Sequence, residues 1–166
     1  MRVYLPATTG VLARLLEHGA VGPVPLTGFA VTPGLREWYL DDDAEALEYA
    51  ALTEAARASL RLIDADPTTP RRRVVLAVDV ADRAVTIRDD RDRGVVELAD
   101  EVPMSSVASA HVDDAAAERT VAEAAAAVIA ADLGDGGAQE LVDDAEGHEL
   151  SWYANQEIAD LLVALR

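Results

Sequence analysis

The chain has 166 residues, enough to bury roughly two thirds of the surface its unfolded form exposes, and 51% of them are hydrophobic, which excludes a disordered chain. Against 31 acidic residues stand 14 basic ones, all of them arginine, so the net charge is −17 and the surface repels phosphate backbones and anionic lipid. There is no cysteine, which excludes disulfides, thiolate catalysis and cysteine-based metal sites, and the aromatic share of 4% makes the expected core aliphatic.

Arg2 to Pro6 alternates and is rich in strand formers, which predicts a first strand. Thr8 or Thr9 then caps a helix with Val11, Leu12, Leu15 and Leu16 on one apolar face, and Gly19 is placed to end it. The glycines and prolines between Gly19 and Gly28 predict a loop, followed by a short strand from Phe29 to Val31. Thr32 and Pro33 read as the cap and first residue of a short helix through Leu40, after which Asp41, Asp42 and Asp43 bring negative charge to the start of the next. That helix is predicted from about Ala44 to Asp64, with Leu47, Ala51, Ala55, Ala58 and Leu62 at helical spacing.

Pro67 and Pro70 end it, and Arg73 to Val80 follows as a strand. Its run Val74 to Val78 is apolar at every position, so both faces should be covered and the strand should lie centrally in a sheet. Ala84 to Arg88 and Gly94 to Ala99, separated by the charged turn Asp89 to Arg93, predict an antiparallel hairpin with one wet face. A helical turn after Pro103, a strand from Val107 to Val112 and a long Ala-rich helix, capped by Asp113 and reaching about Ala131, come next. Gly134 to Gly137 reads as a loop and Gln139 to Asp144 as a single helical turn. In Glu149 to Glu157 the alternation of Leu150, Trp152 and Ala154 favours a strand, while Leu150, Tyr153 and Ala154 would share a helical face; a terminal helix starts at Ile158. The predicted fold class is α/β or α+β: one domain over residues 1–166, a mixed β-sheet with packed helices.

Five strings can be taken together: Thr32-Pro33-Gly34-Leu35-Arg36-Glu37-Trp38-Tyr39, Glu48-Tyr49-Ala50-Ala51-Leu52, Ala55-Ala56-Arg57-Ala58-Ser59-Leu60-Arg61-Leu62, His111-Val112-Asp113-Asp114 and Glu146-Gly147-His148-Glu149-Leu150-Ser151-Trp152-Tyr153. In them the chain resembles a family of short, uncharacterised acidic proteins of actinobacteria. The resemblance runs over nearly the whole chain and implies a bacterial cytoplasmic source. It brings no activity, ligand or catalytic residue with it.

Two groups of residues have chemical potential. His111, Asp113 and Asp114 stand at the end of a predicted strand, where α/β proteins gather ligands, and Asp143, Asp144, Glu146, His148 and Glu149 form a second cluster before the last strand. Brought together, they would offer oxygen and imidazole ligands to Mg²⁺, Mn²⁺ or Zn²⁺ and a spare carboxylate as base, the equipment of metal-assisted hydrolysis. Kept apart, Asp113 and Asp114 are helix caps and the second cluster is a solvated turn.

The other group is Arg36, Trp38 and Tyr39 with Trp152, Tyr153 and Asn155. It would line a pocket for a small molecule or peptide if the aromatics met, with Arg36 holding an anion; if the two tryptophans are core anchors, no such pocket exists. Arg71, Arg72 and Arg73 are expected to form a solvated edge beside neighbouring acids. Gly134, Gly136 and Gly137 lack the phosphate-loop pattern, and Ser105, Ser106, Ser109 and Ser151 lack the setting of a nucleophile.

The favoured reading is therefore a non-catalytic cytoplasmic binding or regulatory protein acting through a protein partner or a homodimer, with neither nucleic acid nor membrane as partner. The alternative is a metal-dependent hydrolase using His111, Asp113, Asp114, Asp143, Asp144 and His148. The sequence names no cofactor.

Overall fold

The computed structural model describes residues 1–39 and 42–165. Leu40, the predicted end of the second helix, and Asp41, the first of the three aspartates, lie outside the described residues. The first half of the chain runs β1 (Arg2–Ala7), α1 (Thr9–His18), β2 (Ala20–Val21), β3 (Leu26–Phe29), α2 (Pro33–Tyr39), α3 (Ala44–Ala65) and β4 (Val74–Asp79). It continues through β5 (Val85–Ile87), β6 (Val95–Leu98), β7 (Val102–Pro103), β8 (Val107–Val112), α4 (Glu118–Asp132), α5 (Gly136–Glu146), β9 (Ser151–Ala154) and α6 (Ile158–Ala164). Among the described residues, seven strands form one sheet in the order β5-β6-β3-β1-β4-β8-β9, and β2 pairs with β7 apart from it.

The ladders are antiparallel. β3 and β4 flank β1, each antiparallel to it, so they run parallel to one another and α2 with α3 makes the crossover between them. The uniformly apolar β4 lies where its sequence demands: Val74, Val75, Leu76, Ala77 and Val78 are all 0% exposed. Because side chains alternate across a strand, Val74, Leu76 and Val78 join Val3, Leu5 and Ala7 on one face, under Leu12 and Leu15 of α1 and Ile158 and Leu162 of α6. Val75 and Ala77 join Tyr4 and Phe29 on the other, under Leu47, Ala51, Ala55 and Ala56 of α3. The molecule is thus three layers, helix on sheet on helix.

Thr8 caps α1, its side chain accepting from the Val11 N–H, and Gly19 closes that helix at φ 76°. Thr32 caps α2 by accepting from the Leu35 N–H at 3.2 Å, and Asp43 caps α3 by accepting from Glu45. The long helix has the expected bounds but a different stripe. Leu62 is exposed and Ala58 half-buried, whereas Ala56, Ser59, Leu60 and Ile63 are buried. The reason is that α3 serves two partners in succession: its first half lies on the sheet, while Leu60 and Ile63 pack with α4 and α5.

Three other expectations are corrected. The strand placed at Phe29 to Val31 starts earlier, at Leu26, and carries Gly28 inside it, opposite Val96. A Cβ on Gly28 would lie 2.6 Å from Val3 Cγ1 and 2.9 Å from Leu5 Cδ2, so this glycine answers to packing and not to a turn. The single turn at Gln139 to Asp144 is the 11-residue α5, beginning at Gly136; Asp135 caps it and Ala138, Val142 and Ala145 pack on α4. Asp113 does not cap the helical run after β8. Asp114 does, accepting from Ala116 N–H at 3.0 Å.

Candidate functional site

The β4–β8 ladder pairs Val74 with Val112, which sets the preceding Arg73 and the following Asp113 opposite each other at the end of the ladder. Their backbones and side chains then lock. The Arg73 N–H donates to Asp113 Oδ2 at 2.8 Å, and the Asp113 N–H donates to the Arg73 carbonyl at 3.1 Å. The guanidinium adds Nε to Oδ2 and Nη2 to Oδ1, each at 2.8 Å. Both residues are 2% exposed, so this is a buried, bidentate ion pair with further hydrogen bonds on both members, the geometry in which such a pair survives desolvation.

Arg73 therefore corrects the expectation of a solvated arginine edge. Its neighbours are also occupied: Arg71 donates to the carbonyls of Ile63, Asp66 and Thr69, and Arg72 to Glu118 at 2.9 Å. Arg73 also joins the two acidic clusters, because its Nη2 donates to the His148 carbonyl at 2.9 Å. The clusters do approach each other, and the cation between Asp113 and the His148 backbone is a guanidinium. With both its oxygens bound to Arg73, Asp113 offers neither a metal ligand nor a general base.

The remaining candidates are dispersed. His111 lies on β8 between Val75 and Trp152, its Nε2 3.1 Å from Ser109 Oγ; burial, followed by the positive charge of Arg2, holds its imidazole below the ordinary value. Asp143 accepts from Gln139 on its own helix and Asp144 is exposed, while Asp114 is the cap described above. Among the described residues no three His, Asp or Glu side chains are placed to hold a metal ion.

The aromatic group does not form one pocket. Trp38 and Tyr39 end α2, where Arg93 stacks over the Trp38 ring at 3.4 Å from its centroid, beside Leu35 and Glu54 in a hollow of about 130 Å³. Trp152 stands on β9, the opposite edge strand of the sheet from β5. Trp38 and Trp152 are 58% and 60% exposed, so neither is a core anchor. Tyr153 points to the other face, where it packs against the α1 and α6 layer. Asn155 is structural, donating to the carbonyls of Met104 and Val107, and Arg36 is exposed.

A larger concavity than the Trp38 hollow lies elsewhere. A cleft of about 340 Å³ opens between α3, which supplies Tyr49, Leu52 and Ala56, and the end of α5 with the segment leading to β9, which supplies Glu146, His148, Glu149 and Leu150; Arg73 is also in its lining. Partial burial, then the charge of Asp143, pushes the Glu146 carboxyl above its ordinary value. His148 and Glu146 are visible in the sequence as members of an acidic cluster; Arg73 and Tyr49 are not, because nothing local marks which arginine of three is buried. Ser59 is likewise missed: fully buried on α3, it donates to the Ala7 carbonyl at 2.7 Å and accepts from the Val74 N–H at 3.1 Å, tying β1 to β4.

A family model described as a family of unknown function, DUF6912, matches residues 1–162. No curated protein and no solved structure matches the chain.

Proposed function

We propose, for a chain that belongs to the DUF6912 family, that it is a non-catalytic binding or regulatory protein that docks a protein partner through its exposed aromatic residues. The observation that carries this reading is the placement of the tryptophans. In a chain with only two, both are more than half exposed, and Tyr39 and Tyr49 join them at 50% and 59%. Aromatics withheld from an aromatic-poor core are the residue types that anchor protein interfaces. With a net charge of −17 on each copy, self-association is opposed, so the partner is a different, basic protein. The proposed setting is the cytoplasm of an actinobacterium, on the strength of the sequence resemblance. Among the described residues no helix is long and apolar enough to cross a membrane.

The test is photocrosslinking in cells from positions 38 and 152, with Ile129 of α4 and Leu133 just after it as exposed apolar controls. A discrete adduct formed from the aromatic positions and absent from the controls is expected, with purified protein monomeric in sedimentation. Equal adducts from all four positions would sink the reading, and an adduct of twice the 17.6 kDa chain mass would replace the basic partner by a homodimer. The competing metal-dependent hydrolase reading is weakened by the commitment of Asp113 to Arg73. A chelated sample melted with Mg²⁺, Mn²⁺ or Zn²⁺ is expected to show no selective rise in Tm; a metal present at 100 times its Kd would add about 2.7 kcal/mol.

A further inference from the structure

We propose that the cleft between α3 and the α5–β9 segment is a binding site for a small basic amino acid, a net cation, its carboxylate on Arg73 and its side-chain cation between Glu146 and Glu149. This inference shares only Tyr49 with the partner surface above. It starts from one atom. The Arg73 side chain is 3% exposed, and its Nε and Nη2 are spent on Asp113 and the His148 carbonyl. Its Nη1 donates to no group among the described residues, and the side chain lines the cleft. A buried guanidinium held on one edge by an ion pair, with only its Nη1 hydrogens left over, is a preorganised donor, and a single carboxylate oxygen can accept from it.

The remaining walls define the rest of the ligand. Asp113 already neutralises Arg73, so the base of the cleft offers hydrogen bonds with little net charge, and a bare anion gains nothing against a molecule of net charge −17. Glu146 and Glu149 supply two carboxylates on one side, and the raised Glu146 carboxyl marks a charge that a ligand cation would relieve. Tyr49, Leu52, Ala56 and Leu150 cover an aliphatic body between the two ends, with the Tyr49 ring available to a cation. The volume of about 340 Å³ lies at the low end of small-molecule sites, which suits a free amino acid better than a longer peptide.

Isothermal titration calorimetry of the full chain with L-arginine and L-lysine tests this. Agmatine carries the cation without the carboxylate, hexanoate the carboxylate without the cation, and inorganic phosphate is a bare anion. Saturable one-to-one binding of arginine or lysine is expected, with agmatine, hexanoate and phosphate each at least about tenfold weaker. The surface variant Glu146→Gln/Glu149→Gln should lose at least about tenfold in affinity, and Thr53→Trp, which fills the cleft from α3, should abolish binding. Arg73→Leu/Asp113→Leu removes the donor without stranding a buried charge and should abolish it too. The proposal is overturned by the absence of saturable heat with either amino acid, by binding undiminished in Thr53→Trp, or by agmatine or phosphate binding as tightly as arginine. Tighter binding of a tripeptide ending in arginine overturns the free-ligand assignment.

Discussion

Removing the Arg73 side chain would leave the Asp113 carboxylate buried and without its counter-ion, which makes this pair a sensitive point in the molecule. Arg73→Ala should cost about 3 to 5 kcal/mol in urea unfolding, whereas Arg73→Leu/Asp113→Leu should recover most of that loss. A single variant no worse than the double one would show that the pair does not carry the end of the β4–β8 ladder. Histidine gives a second test at this scale. The folded His111 pKa lies below its unfolded value of about 6.5, so the unfolded chain takes up the proton first as pH falls. Its contribution to stability is therefore complete above about pH 6.5 and is lost as pH falls through that value toward the folded pKa. Melts of wild type and His111→Asn between about pH 7.5 and 5 should converge on acidification; parallel curves would remove His111 from the titration. At this scale the sequence showed which residues carry charge but not which are buried: Arg71, Arg72 and Arg73 are adjacent and identical in type, and only the third is enclosed.

Secondary structure was largely legible, because periodicity and caps are local. The apolar run of β4, the β5–β6 hairpin, the strand β8, the cap Thr32 and, of the two threonines offered, the cap Thr8 all lie where pattern and turn chemistry put them. Where the structure departs from the local pattern, the cause is a contact distant in sequence. Gly28 looks like loop punctuation until Val3 and Leu5 lie against it across the sheet. Gly28→Ala is accordingly expected to destabilise by about 1 to 3 kcal/mol, through overpacking against β1, in equilibrium urea unfolding. A neutral substitution would mean that the two side chains yield without strain. The Gly136 and Gly137 start of α5 is the same kind of case, since poor helix formers are tolerated where Asp135 caps the turn and α4 receives the apolar face. Between α3 and α4, Asp132 accepts from both Arg57 and Arg61, including 2.7 Å to Arg61 Nε. Asp132→Asn should cost about 1 kcal/mol or less, an effect that shrinks as salt is added to the melt.

Across the whole molecule the excess of 17 negative charges works against compactness, because the folded state holds them closer together than the unfolded chain does. Stability should therefore rise as ionic strength goes from about 10 mM to about 150 mM and the Debye length falls from about 30 to about 8 Å. A Tm that falls over this range would mean that attractive pairs such as Arg57–Asp132 outweigh the general repulsion. By itself the sequence determined the charge, the aliphatic core, the class of fold and most of its elements, since each is carried by composition or by neighbours within a few residues. The tertiary structure alone decided that Arg73 faces Asp113, that both tryptophans stand at the surface and that a cleft opens beside Tyr49. Those outcomes depend on strand register and helix placement, which join residues 40 or more positions apart, as Arg73 and Asp113 are, and no local pattern records such a pairing.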